Sequence, residues 1–71
     1  MAQLTHDQYD QLERAIIDKR RIAVMRRGTE YVIVPTRLLV ERGREAIQAR
    51  HPGGNVMLFF IDDLQSIEVV K

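Results

Sequence analysis

Five short apolar runs follow one another from residue 21 onward with only short connections between them. Parallel strands need a crossover of a dozen or more residues, usually a helix, and no crossover helix is evident between these runs. The strands are therefore expected to be antiparallel. Five short antiparallel strands avoid exposed edges most easily by bending into a small barrel. This arrangement of five short antiparallel strands predicts an Sm-like or SH3-like barrel.

The segment before the strands has the pattern of an amphipathic helix at about 5–19. Thr5 can cap the helix, and Gln8 three residues later completes a capping box. An apolar stripe with helical spacing follows, made by Tyr9, Leu12 and Ile16. We expect this helix to cover one open end of the barrel.

The strand boundaries follow from apolar runs and the turn residues between them. They are predicted at 21–26, 30–34, 45–50, 56–61 and 65–70. Pro35 cannot donate a ladder hydrogen bond, so we expect it to end the second strand. The following TRLLVERGR is then an irregular connection, and DDL is a short turn before the last strand.

With 71 residues the chain is one domain at most. We predict a single mainly β, α+β domain over 1–71, with the helix at about 5–19 and the barrel at about 21–70. The fourth run, VMLFFI, has six apolar residues in a row. It is either a central strand covered on both sides or an outward-facing apolar set that forms a homodimer interface.

Composition argues against several classes of protein. Cysteine is absent, so disulfides and thiolate metal sites are excluded. No apolar run approaches 18 residues and no signal-peptide pattern begins the chain. We expect a cytoplasmic protein without a membrane partner.

No set of residues suggests catalysis or a bound metal. His6 and His51 are far apart in the sequence, and Asp62 with Asp63 offers too few oxygen donors for a cation. Ser66 has no evident base to activate it. We therefore expect no enzyme activity, no metal and no cofactor.

The net charge is only +1, so a charged binding surface must come from local clusters of like charge. In KRRIAVMRRG the basic residues form two groups, 19–21 before the first strand and 26–27 at its end. They are solvated strand ends that protect an edge, a surface for nucleic acid or another anion built from one of the groups, or part of a protein interface. The candidate anion-binding residues are Arg20, Arg21, Arg26 and Arg27, with Arg44 and Arg50 as further candidates. The acidic residues of the helix form an alternative, protein-binding surface made by Asp7, Asp10 and Glu13.

The chain contains, in this order, AI at 15–16 with RRIAV at 20–24, VPTRLL at 34–39, GREAIQAR at 43–50 and FFIDDLQSIEV at 59–69. Together these segments resemble the WYL domain, a small Sm-like barrel of bacterial transcription regulators. The resemblance implies a regulatory module that senses nucleic acid or nucleotides. The chain departs from the family at 45–47, where Glu-Ala-Ile replaces Trp-Tyr-Leu, and at Met57, which replaces a basic residue. Arg50 remains as a basic candidate there.

QYDQLERA at 8–15 and IDDLQSI at 61–67 are also similar to the Rof family, inhibitors of the termination factor Rho. That resemblance implies the same fold with a protein partner. We therefore expect a small bacterial, non-catalytic regulatory module that binds nucleic acid or nucleotides in transcription. The alternatives are a module that binds a protein of the transcription or RNA-processing machinery, and a homo-oligomeric structural domain.

Overall fold

A computed structural model describes residues 3–70 and contains one helix followed by five strands. In chain order the elements are α1 (His6–Asp18), β1 (Ile22–Arg26), β2 (Thr29–Glu41), β3 (Arg44–Arg50), β4 (Val56–Phe60), a 3₁₀ turn η1 (Ile61–Asp63) and β5 (Leu64–Val69). All strand pairs are antiparallel, in the order β4-β3-β2-β1-β5. The predicted fold class, a helix followed by a five-stranded antiparallel barrel-like sheet, is confirmed. Residues 1, 2 and 71 of the predicted domain lie outside the described part.

The start of α1 is set by the predicted capping box. The Thr5 hydroxyl accepts a hydrogen bond from the Gln8 backbone N–H at 3.1 Å. The Gln8 side chain accepts one from the Thr5 N–H at 2.9 Å, so two otherwise unpaired donors are satisfied. At the other end Lys19 adopts a left-handed conformation, with φ 57°, and turns the chain toward β1.

The prediction that Pro35 ends the second strand is wrong. β2 continues for 13 residues through Pro35, and the stretch expected to be an irregular connection pairs with β3. The register shifts between Pro35 and Arg37, which marks a β-bulge. A bulge interrupts the ladder and bends the strand, so it tolerates a residue without an N–H. The short turn predicted at DDL lies one residue earlier, because Ile61–Asp63 forms a single turn of 3₁₀ helix and Leu64 begins β5.

Because β2 bends at this bulge, it belongs to both halves of the sheet. The first part of β2, as far as Ile33, pairs with β1, and the part from Val34 onward pairs with β3. The inward side chains of the two halves meet in a core that includes Val24, Ile33, Ile47 and Phe59, all fully buried. Helix α1 adds Leu12 and Ala15 to this core and packs against β2 and β5.

The interpretation of VMLFFI as a central strand is wrong as well. β4 lies at one end of the strand order and pairs with β3 on one side. The helix packs mainly against other strands, so it does not cover β4.

Candidate nucleic-acid interface

The turn between β1 and β2 holds the second of the two predicted basic groups. Arg27 and Gly28 both have positive φ, 51° and 78°, the combination that matches the twist of a two-residue hairpin. The Gly28 N–H donates to Oε1 of Gln65 in β5 at 2.8 Å. This bond ties the turn to a strand on its far side and fixes its position.

Arg26 lies on the core side of β1, because alternate residues of a strand share a face and Ile22 and Val24 are buried. Its guanidinium carbon lies 5.0 Å from the ring centroid of Tyr31 and 4.8 Å from that of Phe59. It also donates to the Tyr31 hydroxyl at 3.4 Å. Guanidinium groups stack well on aromatic rings, so the two rings hold this cation in place at the rim of the core.

A shallow cleft at the turn brings these groups together. It is lined by Arg26, Arg27, Thr29, Tyr31 and Asp63. Among residues 3–70, neither Arg26 nor Arg27 forms an ion pair. The cleft therefore offers an anion two guanidinium groups without an ion-pair partner and two hydroxyls, with the Asp63 carboxylate on its wall.

Arg44, unlike Arg26 and Arg27, is already paired with carboxylates and is therefore less available to an anion. Its Nε donates to Oδ2 of Asp62 at 3.1 Å, and a terminal nitrogen lies 3.5 Å from Oδ2 of Asp63. Its guanidinium carbon also sits 4.0 Å above the centre of the Phe60 ring. The hydrogen bond from Arg44 holds the pKa of the Asp62 carboxyl below its ordinary value. The two carboxylates thus compete with any phosphate for this arginine.

The first basic group lies at the other end of β1. Arg20 and Arg21 are exposed, and Arg20 Nε is 4.0 Å from Oδ2 of Asp18. Arg20 lines a groove between α1 and β5 that also contains Glu68. The five residues of β1 separate this group from the turn by about 17 Å, so the two groups do not form one site.

Arg50 is exposed at the end of β3, where it is paired between Val34 and Val56. It is not among the residues that line the cleft. Of the six predicted anion-binding residues, Arg26 and Arg27 converge, and Arg20, Arg21, Arg44 and Arg50 do not join them in the cleft.

The alternative acidic surface is present as an exposed face of α1. Asp7, Asp10 and Glu13 are exposed and line one shallow groove with Arg14 and Ile17. The Ile17 side chain in this groove is 76% exposed. Asp10 is also 3.8 Å from Nε2 of His6, one helical turn earlier.

Three residues of the cleft were not among the predicted site residues. Thr29 and Tyr31 lie within five residues of Arg26, so hairpin register could have identified them: Thr29 is the cross-strand partner of Arg26, and Tyr31 that of Val24. Asp63 is 36 residues beyond Arg27 in the chain, and nothing in the local sequence links it to the turn.

Comparison with known proteins gives no relative for this chain: no family model, no curated protein and no solved structure matches it. Within residues 3–70, no helix has the length and apolar character needed to cross a membrane. The same residues contain no group of three or more histidine or acidic side chains placed to hold a metal ion.

Proposed function

We propose that this chain is a non-catalytic regulatory module that binds nucleic-acid phosphates in the cleft at the β1–β2 turn. The observation that carries the proposal is the convergence of Arg26 and Arg27 in one cleft without a carboxylate paired to either among residues 3–70. A guanidinium and a phosphate form short, charge-assisted hydrogen bonds, often two at a time.

The roles of the two arginines differ. Arg26 lies against the adjoining rings of Tyr31 and Phe59, so little side-chain freedom is lost when it binds an anion. Arg27 is exposed at the tip of the turn and can follow a phosphate along the surface. Thr29 adds a hydroxyl donor on the adjacent strand.

Contacts of this kind are made to the backbone of the nucleic acid and carry little sequence information. We therefore propose sequence-tolerant binding that weakens steeply as salt is raised. The WYL-like segments favour a role in transcription, but the binding site proposed here is the cleft at the β1–β2 turn and not the family's ligand positions at 45–47 and 57.

The test is fluorescence anisotropy of labelled single-stranded DNA, single-stranded RNA and duplex DNA, titrated with the protein from low to physiological salt. The chain offers a matched control, because Arg42 and Gly43 form a second turn with φ values of 53° and 78°. Arg27→Glu should remove most of the binding. Arg42→Glu makes the same charge change in the same backbone conformation and should largely preserve it.

Equal losses in the two variants would mean that only net charge matters, which would contradict a site at the β1–β2 turn. Absence of binding by the wild-type protein to all three probes at low salt would reject the nucleic-acid function altogether.

A protein partner is the second candidate function, favoured by the exposure of Ile17 beside the acidic residues of α1. An apolar side chain in a groove with three carboxylates and one arginine suits a partner surface that is basic and partly apolar. Capture of a transcription or RNA-processing factor that is lost in Asp10→Lys with Glu13→Lys, and kept in Arg27→Glu, would support this function instead.

A further inference from the structure

Strand β4 is an edge strand that itself lacks the charges, prolines and bulges that usually protect an exposed edge. Val56–Phe60 contains no charged residue and no proline, and its register with β3 has no bulge. Proteins usually blunt free edges with charges, prolines, bulges or a covering segment, because unpaired backbone groups attract another strand. The opposite edge differs, since β5 has a bulge in its pairing with β1 and exposes Gln65, Ser66 and Glu68.

The side chains of β4 are apolar on both faces. Phe59 points into the core and is fully buried. Val56, Leu58 and Phe60 alternate with it and lie on the outer face. Val56 is 61% exposed, and Leu58 is half-buried beside Gln48. A further strand at this edge would cover apolar surface as well as satisfy backbone groups.

We propose that the free edge of β4 pairs antiparallel with β4 of a second copy of this chain, around a twofold axis at Leu58. Leu58 then lies opposite Leu58 of the second copy, and Val56 lies opposite Phe60. Every pair is apolar, so self-pairing brings no like charges together within the strand.

Charges at the two ends of β4 favour this antiparallel orientation. Arg50 is paired with Val56 at one end, and among residues 3–70 it forms no ion pair. At the other end Asp62 and Asp63 follow Phe60, and these two carboxylates share the single cation of Arg44, which leaves that end acidic. The antiparallel arrangement places the basic end of one copy beside the acidic end of the other. A parallel arrangement would bring the two Arg50 ends together, and like charges repel.

The interface is small. A pair of five-residue strands buries less than the roughly 800 Å² per partner of a stable complex. We therefore expect association at high protein concentration and dissociation on dilution.

The absence of cysteine makes the test direct, because a single introduced cysteine can form only an intermolecular disulfide. Opposite residues of antiparallel strands have Cα atoms about 4.5–5.5 Å apart, within the range that a disulfide spans. Under mild oxidation Leu58→Cys should give a covalent dimer on non-reducing electrophoresis. Ser66→Cys, at the middle of the other edge strand, is the control and should stay monomeric.

A mixture of the Leu58→Cys and Ser66→Cys variants tests whether β4 pairs with β5 of another copy instead of with β4. Mixed dimers of Leu58→Cys with Ser66→Cys would show head-to-tail pairing of β4 with β5 and would overturn the proposal.

Sedimentation of the cysteine-free protein gives an independent measurement. The wild type should shift toward a dimer as concentration rises, and Leu58→Lys should remain a monomer with an unchanged circular dichroism spectrum. Gln65→Lys adds the same charge to β5 and should dimerise like the wild type. A wild type that stays monomeric at millimolar concentration would reject the pairing.

Discussion

The phenol of Tyr9 in α1 donates a hydrogen bond to Oε2 of Glu45 in β3, at 2.8 Å and across 36 residues of chain. Both side chains are half-buried. The bond joins the first turns of the helix to the half of the sheet that contains β3 and β4, whereas the rest of α1 packs on β2 and β5.

Tyr9→Phe removes this bond and keeps the ring. A hydrogen bond to a charged acceptor contributes about 1.5–3 kcal/mol when well buried, and an ordinary one about 1 kcal/mol. Since this one is only partly buried, we expect the free energy of unfolding to fall by about 1 kcal/mol. Urea denaturation of the two proteins at pH 7 measures the difference. A change close to zero would mean that water replaces the bond at no cost.

The same bond predicts an alkaline pH dependence. The hydrogen bond to Glu45, with burial as a smaller cause, raises the pKa of Tyr9 above its ordinary value. A raised pKa in the folded state means that the stabilisation is complete below the unfolded pKa of about 10 and is lost as the pH rises through the folded pKa. The stability difference between wild type and Tyr9→Phe should therefore be constant at pH 7–9 and shrink above pH 10. A difference that persists unchanged at higher pH would contradict this assignment.

Asp63 is predicted to weaken anion binding, because it lines the cleft with Arg26 and lies 3.5 Å from Arg44. Asp63→Asn removes a negative charge from the cleft wall and also removes one of the two carboxylates that pair with Arg44. We expect oligonucleotide affinity to rise about two- to fivefold, the effect of an exposed charge pair. Asp18→Asn makes the same charge change beside Arg20 at the other end of β1 and is the control in the anisotropy assay.

The salt dependence of binding should report how many phosphates the protein neutralises. For a single strand, each neutralised phosphate adds about 0.7 to the slope of log affinity against log salt. Arg26→Gln combined with Arg27→Gln should therefore reduce the slope by about 1.4. An unchanged slope with lower affinity would mean that these arginines position the cleft and do not bind phosphate themselves.

Gly28 is predicted to be required for the turn. Its φ is +78°, a conformation that costs a residue with a Cβ roughly 1–2 kcal/mol, and no atom lies within 4 Å of an added Cβ. Gly28→Ala should lower the free energy of unfolding by about 1 kcal/mol through backbone strain alone. Gly53→Ala is the matched control, because its φ lies outside the left-handed region and its added Cβ meets His51 at an ordinary 3.6 Å. Thermal melts of the two variants should separate them.

The helix and the hairpin could be predicted because their signals are local. Thr5 and Gln8 are three residues apart, and Arg27 with Gly28 marks a turn without reference to the rest of the chain. The path of β2 could not, because Pro35 ends a strand in most sequence contexts and is tolerated here only by a bulge opposite β3. The cleft was half predictable. Arg26 and Arg27 are neighbours in sequence, whereas Asp63 is brought to the cleft by the fold, as are Asp62 and Asp63 to Arg44.

The continuity of β2 couples the unfolding of the two halves of the sheet. A single strand from Thr29 to Glu41 belongs to both halves of the sheet, and the inward side chains of both halves pack in one core, so each half loses apolar contacts once the other separates. The two halves should therefore unfold as one cooperative unit, with no intermediate in which only one hairpin survives. In native-state hydrogen exchange the slowest amides of β1 and of β3 should therefore exchange with the same opening free energy. This should hold although the two strands pair with opposite edges of β2.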